Sequence, residues 1–308
     1  VPEELPLPGP TAPRTVLRTV LGDYPHTAPL KNGELPGDGV RLDFLPVSPI
    51  HRAFAPMVRE EAYDLCELAI VTALQAVAYG RPVVLLPAVV AARFQRGCLI
   101  AHASRPVRPE DLRGRRVGVR SYTQTTGMWV RAHLAEDHGL AAQDVRWITR
   151  EGAHVAEYAD PEYVTHDPDT ASLPDMLREG RIDAAVLGND LPRGDEFVPV
   201  LPDAAARDEQ WWRQHGFMPV NHMVAAAAST CRENPAAVRE AYTLLRRADA
   251  TVRRPDGAPR PTRFGFELLR KPVETVVEAC VAQGLLPRHI SAEEIFAPAR
   301  EVLGDDAD

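Results

Sequence analysis

Arg116-Val117-Gly118-Val119-Arg120-Ser121-Tyr122-Thr123-Gln124-Thr125-Thr126-Gly127 is the stretch that decides the fold. Residues 116–119 predict a short buried strand, and 121–127 predict a hydroxyl-rich loop. The loop opens a helix that runs to about His138, where Gly139 supplies the left-handed conformation that commonly ends one. Strand, polar loop and helix in that order make a βα unit, and such units recur on both sides of it. Upstream, Val16–Leu21, Val40–Leu45, Leu68–Val71 and Val83–Leu86 read as strands, with helices over 50–61 and 74–79. Downstream, Val145–Ile148 and Ile182–Leu187 read as strands with a helix over 173–179, and residues 152–170 read as a loop rich in Asp, His and Pro. Alternation of this kind implies mainly parallel sheets covered by helices.

The 308 residues exceed the roughly 250–300 at which a single core stops growing, so two lobes are expected. Cys98–His102 reads as a strand leaving the first series, and Met223–Ala228 as a strand returning to it. Beyond the return, Asn234-Pro235 starts a helix with Val238, Ala241, Tyr242 and Leu245 on one face. Val273, Val276, Val277 and Cys280 mark another apolar stripe, and Ser291 with Glu294 forms a capping box for the last helix. These helices pack most simply on the N-terminal strands. The expectation is one lobe from residues 1–100 and 222–308, a second from 101–221, and a cleft between them that closes like a hinge.

Composition narrows the function. The net charge of −8, with no basic stripe, argues against nucleic-acid binding. No apolar run approaches the roughly 20 residues that span a bilayer. Val1–Pro13 is proline-rich and lacks the layout of a secretion signal, which favours a cytoplasmic protein. Cys66, Cys98, Cys231 and Cys280 lie far apart and read as reduced thiols. There is no HExxH, glycine-rich phosphate loop or nucleophile elbow. His133 and His138 stand five apart, off the i,i+4 spacing of a helical metal pair, so neither metal nor cofactor is expected.

Several segments together resemble the 4,5-dihydroxyphthalate decarboxylase family. Tyr24-Pro25-His26-Thr27-Ala28-Pro29-Leu30 followed by Gly33 is similar to the family's opening segment, and Tyr63-Asp64-Leu65-Cys66-Glu67-Leu68 to a second. The longest match is Pro109-Glu110-Asp111-Leu112-Arg113-Gly114-Arg115-Arg116-Val117-Gly118-Val119. Met176–Ala184 and Gly216-Phe217-Met218-Pro219-Val220-Asn221-His222 complete the series. The likeness covers roughly residues 16 to 250. It implies a type II periplasmic-binding-protein-like α/β fold and a lyase that decarboxylates a hydroxylated aromatic or related cyclic acid. Pro25 and His26 stand where the family has aspartate and arginine, Gln95-Arg96 where it has arginine and histidine, and Ser121 where it has glutamate.

The candidate site residues follow from their chemistry and this likeness. Thr123, Gln124, Thr125 and Thr126, beside Tyr122, sit where a helix start offers unpaired N–H groups and a favourable dipole to a carboxylate. The competing reading is that one of them merely caps the helix. Arg93 and Arg96 precede the first crossover, where a guanidinium can fork onto a carboxylate, or else pair with surface acids. His222, beside Asn221, has the pKa range to move a proton, with a backbone-bonded hinge histidine as the alternative. Glu67 either binds a substrate hydroxyl or orients a base, with a structural hydrogen-bond acceptor as the alternative. Tyr24, His26 and Thr27 are ligand contacts or turn residues, and Asn189 closes over the ligand.

The leading expectation is a cofactor-independent decarboxylase acting on a small carboxylic acid, with His222 and Glu67 as catalytic residues. In that reading His222 is the general acid or base, Arg93 or Arg96 with the 121–127 loop holds the carboxylate, and Glu67 and Tyr24 contact ring hydroxyls. A homo-oligomer is left open. A non-catalytic solute-binding protein and a dehydratase-like enzyme on the same fold are the alternatives.

Overall fold

A computed structural model describes residues 14–188, 191–201, 203–304 and 307. The first series runs β1 (Thr15–Val20), α1 (Ala28–Lys31), β2 (Val40–Phe44), α2 (Phe54–Glu60), β3 (Leu65–Ala69), α3 (Ile70–Ala78) and β4 (Val83–Ala92). The chain then enters a second sheet with β5 (Leu99–His102), β6 (Arg116–Val119), α4 (Thr125–His138), β7 (Arg146–Thr149), β8 (Val164–His166), α5 (Leu173–Arg178), β9 (Ala184–Val186), β10 (Phe197–Pro199) and α6 (Ala204–His215). It returns through β11 (Val220–Ala227) and ends with α7 (Ala228–Glu233), α8 (Pro235–Ala250), β12 (Arg263–Phe264), α9 (Phe266–Ala282) and α10 (Ala292–Leu303).

The strands form two six-stranded sheets, ordered β12-β4-β11-β3-β1-β2 and β10-β5-β9-β6-β7-β8. β1, β2 and β3 are parallel, as are β9, β6, β7 and β8. The returning strand β11 inserts antiparallel between β3 and β4. That insertion makes the first sheet out of both ends of the described chain. It also brings His222 opposite Ala69, at the carboxyl end of β3. All five residues of β3 are buried, as expected for a strand with neighbours on both edges and helices on its faces.

The apolar core runs continuously from one sheet to the other, and a smaller cluster in the second sheet gathers under α5 around Met176, Leu177 and Ile182. Trp129 of α4 lies in the seam and donates its indole N–H to the Val220 carbonyl at 2.7 Å. Gly139 ends α4 at φ +61°, and Ser291 accepts from the Glu294 backbone N–H to cap α10, both as the sequence predicts. The 152–170 segment, expected as loop, instead adds the edge strand β8, whose three residues are too short to show a period. Among the described residues no helix is long and apolar enough to cross a membrane.

Candidate active site

Glu67 is fully buried in the middle of β3, and its carboxylate collects three donors. The backbone N–H of Gly22 reaches Oε2 at 2.7 Å, while the Tyr24 hydroxyl and His222 Nδ1 each lie 2.5 Å from Oε1. Burial works to raise this carboxyl, but the contacts from His222, Tyr24 and Gly22 prevail and hold it below its usual value. Glu67 is therefore a carboxylate. His222 is bonded to it through Nδ1, which leaves Nε2 as the nitrogen available on its other side. The same bond explains why a carboxylate sits in the core at all: a buried charge persists when it is paired and hydrogen-bonded.

His222 lines a cavity of about 290 Å³ between the two sheets. That volume is near the lower end of small-molecule sites, which run from about 300 Å³ upward, and suits a single-ring ligand rather than a polymer. On the side of the first sheet the walls are Phe54, Ala69, Thr72, Arg93, Asn221 and His222; facing them are Arg120, the 123–126 loop, His154 and Gly188. Hollows of about 420 and 410 Å³ occur elsewhere, around Arg263 and around Trp211, but the Glu67-paired histidine and the threonine-rich loop meet only in the smaller one.

The N-terminus of α4 faces this cavity. Gln124 precedes it in extended conformation, and among the described residues no side-chain cap takes up the first N–H groups of the helix. The Gln124 side-chain oxygen is buried and has no hydrogen-bond partner among the described residues. Arg93 donates to the Thr126 hydroxyl at 2.8 Å, tying a guanidinium from lobe one to the N-terminal end of the helix. Ser121 bonds both Thr123, at 2.9 Å, and the Gly152 carbonyl, at 3.2 Å, so it fastens the loop bearing His154 beside the helix start. Gln95 donates to the Asn221 side-chain oxygen at 3.3 Å and fixes its orientation. The net result is a cradle of Arg93, the Glu151-paired Arg120, the backbone N–H groups of the helix start and threonine hydroxyls, a donor set suited to a carboxylate.

The structure thus gathers His222, Asn221, Arg93, Thr123, Gln124, Thr125 and Thr126 around one cavity, with Glu67 directly behind. Other candidates take different places. Arg96 turns away from the cleft: it is fully buried between Asp137 and Asp208, at 2.8 Å from each, where it joins α4 to α6. Tyr122 is also removed from the cavity, buried under Arg131 and bonded to the Tyr163 hydroxyl and the Gln283 carbonyl. Thr27 closes the Gly22–Tyr24 turn rather than meeting a ligand. His26 stacks on Tyr24 at 5.0 Å, one layer further from the cavity. Tyr24 itself acts on Glu67 and does not line the cavity. Asn189 lies outside the described residues.

Phe54, His51, Thr72, Arg120 and His154 are cavity residues that sequence reasoning missed. The available signal was positional. The Gly152-Ala153-His154 loop follows β7 at the carboxyl end of a parallel strand, as the 121–127 loop follows β6, and ligands gather at those ends.

No family model matches the chain. It is 32% identical over 213 residues to the 4,5-dihydroxyphthalate decarboxylase of Pseudomonas putida, covering 64% of this chain and 81% of that protein. It is 26% identical over 328 aligned residues to the enzyme of the same name from Comamonas testosteroni, covering 92% and 96% respectively. Its fold matches that of the alkanesulfonate-binding protein SsuA from Xanthomonas axonopodis pv. citri, solved bound to MOPS. There the TM-score is 0.57 at 14% identity, over 92% of this chain and 98% of that one. The two-lobed, periplasmic-binding-protein-like architecture expected from the sequence is the one found.

Proposed function

The chain belongs to the 4,5-dihydroxyphthalate decarboxylase family, and from that premise we propose that it is a carboxy-lyase for a hydroxylated aromatic or related cyclic acid, working without a cofactor in the interlobe cavity. The observation that carries this reading is the Glu67–His222 pair set beside an anion cradle. Fold alone would not, because the same architecture is that of an alkanesulfonate-binding protein.

The chemistry follows from that juxtaposition. The substrate carboxylate rests at the α4 N-terminus and Arg93. Protonated His222, its Nδ1–H held by the Glu67 carboxylate, delivers the Nε2 proton to the ring carbon that bears the carboxylate. A ring hydroxyl supplies the electron push, its oxygen keeping its proton and carrying the positive charge as a protonated carbonyl until the ring is restored. The bond to the carboxylate carbon then breaks, its electron pair restores the aromatic ring, and carbon dioxide leaves. One proton is consumed per turnover, and neutral His222 takes the next from water. Glu67 stabilises the imidazolium and fixes its ring, as the carboxylate of a catalytic triad does.

Purified protein incubated with hydroxylated benzoates and phthalates, 4,5-dihydroxyphthalate included, is expected to release carbon dioxide. In deuterium oxide the product gains one deuterium at the vacated carbon. His222→Ala should abolish turnover while retaining affinity for the acid within several-fold. Tight binding with no turnover of any of these acids by the wild type would leave a solute-binding role instead.

A further inference from the structure

The proton donor and the anion cradle leave one wall of the cavity unexplained. On it His154 and Thr72 face the ligand space together with Phe54. His154 Nδ1 is 2.9 Å from the buried Thr72 hydroxyl, a contact that crosses from the lobe-two loop to α3 of lobe one. Arg59 holds the same loop by donating to the carbonyls of His154 and Ala153 at 2.7 and 3.1 Å. The Phe54 ring meets both His154 and His222 edge-on, each at 5.5 Å between centroids. The two imidazoles are thus set on either side of one aromatic spacer, in a cavity sized for one ring.

With Nδ1 engaged by Thr72, Nε2 is the nitrogen that His154 has to offer the cavity it lines. Resting on the decarboxylase reading above, we propose that His154 is a specificity-determining residue whose Nε2 hydrogen-bonds a ring hydroxyl of the bound acid, with Thr72 as its positioning residue.

The surroundings keep the ring neutral. Burial, followed by the charges of Arg120, His51 and Arg59, lowers the His154 pKa to about 4. His222 by contrast faces the Glu67 carboxylate. The two histidines, alike in sequence, therefore receive different work from their neighbours: one paired with an anion to carry a proton, the other kept uncharged to recognise a hydroxyl.

The test compares 3,4-dihydroxybenzoate with benzoate by titration calorimetry on the full chain, at pH 7, in wild type, His154→Phe and Thr72→Val. Phenylalanine keeps an aromatic ring against Phe54 but offers no nitrogen. In the wild type the hydroxylated acid should bind at least tenfold more tightly than benzoate. In His154→Phe its affinity should fall roughly ten- to hundredfold, with benzoate affected less than threefold, so that the preference collapses. Thr72→Val should lower the preference by a smaller factor, since the nitrogen remains but loses its alignment. Equal losses for both acids, or an unchanged preference in both variants, overturn the assignment of His154 while leaving the decarboxylase reading intact. Failure of wild-type protein to bind either acid overturns that reading and the proposal with it.

Discussion

His222 Nδ1 and Glu67 Oε1 meet at 2.5 Å across two antiparallel strands, although the residues stand 155 positions apart in the chain. Register makes the contact: His222 is opposite Ala69 and Val224 is opposite Glu67, so both side chains project from the same face of the sheet. Glu67→Gln keeps the shape but removes the anion that stabilises an imidazolium. Turnover should fall about 10²–10⁴-fold, by analogy with removal of the charge from a triad carboxylate. Affinity for the acid, measured by calorimetry, should change less than about threefold, since carboxylate binding is assigned to another wall. A variant within tenfold of wild-type turnover would exclude the pair from the chemistry.

The same carboxylate should be visible in the pH dependence of stability. Its folded-state pKa is depressed, so Glu67 contributes stability above its unfolded value of about 4.5 and loses that contribution as pH falls through the lower folded value. The wild type should therefore exceed Glu67→Gln in urea midpoint from pH 7 to about 5, with the gap narrowing below 4.5. Tyr24→Phe removes one donor to the charged group and should cost about 1.5–3 kcal/mol at pH 7. A gap that widens on acidification would mean the folded carboxyl is protonated.

Much of this arrangement was legible in the chain, and the remainder was hidden for physical reasons. The βα alternation follows from local pattern, and β5 at Leu99–His102 and β11 at Val220–Ala227 lie where crossover strands are read at 98–102 and 223–228. His222 and Glu67 each stood out by residue type and family likeness. Their pairing depends on β11 inserting beside β3, which no local pattern encodes. Arg96 misled because a buried structural arginine and a ligand-binding one have the same sequence signature, and only the partners Asp137 and Asp208 decide between them. His154 was obscured by the polar composition of its loop, where solvated residues are the rule; here the loop is tied across the cleft by Arg59 and Thr72.

Arg96 gives a prediction of the opposite kind. Its guanidinium is buried between two carboxylates, so replacing it with Met removes the cation from Asp208 and leaves Asp137 with the more exposed Arg207 at 3.7 Å. Removing one partner from a buried charge cluster typically costs about 3–5 kcal/mol. Chemical denaturation of Arg96→Met should show a loss of that order, while KM and kcat of the folded fraction at 25 °C stay within about twofold of wild type. A large rise in KM without loss of stability would return Arg96 to the ligand.

Gly188 tests where the substrate carboxylate rests. A methyl group on its α-carbon would stand 3.1 Å from Arg93 Nη2, 3.5 Å from the Gln124 side-chain nitrogen and 3.7 Å from the Thr126 hydroxyl. Gly188 does not have the left-handed φ that would strain a larger residue, so Gly188→Ala should leave the melting temperature within a few degrees of wild type. The end of the Arg93 side chain is the part able to yield. Moving it disturbs the 2.8 Å bond to Thr126 and narrows the space at the α4 N-terminus. KM should rise about tenfold, equivalent to about 1.4 kcal/mol of lost binding, with kcat changed by a smaller factor. Arg93→Met should raise KM further, and adding Gly188→Ala to it should then have little effect, because the group that the methyl displaces is gone. Independent, multiplying effects of the two substitutions would place the carboxylate away from Arg93 and force a different orientation of the ring in the cavity.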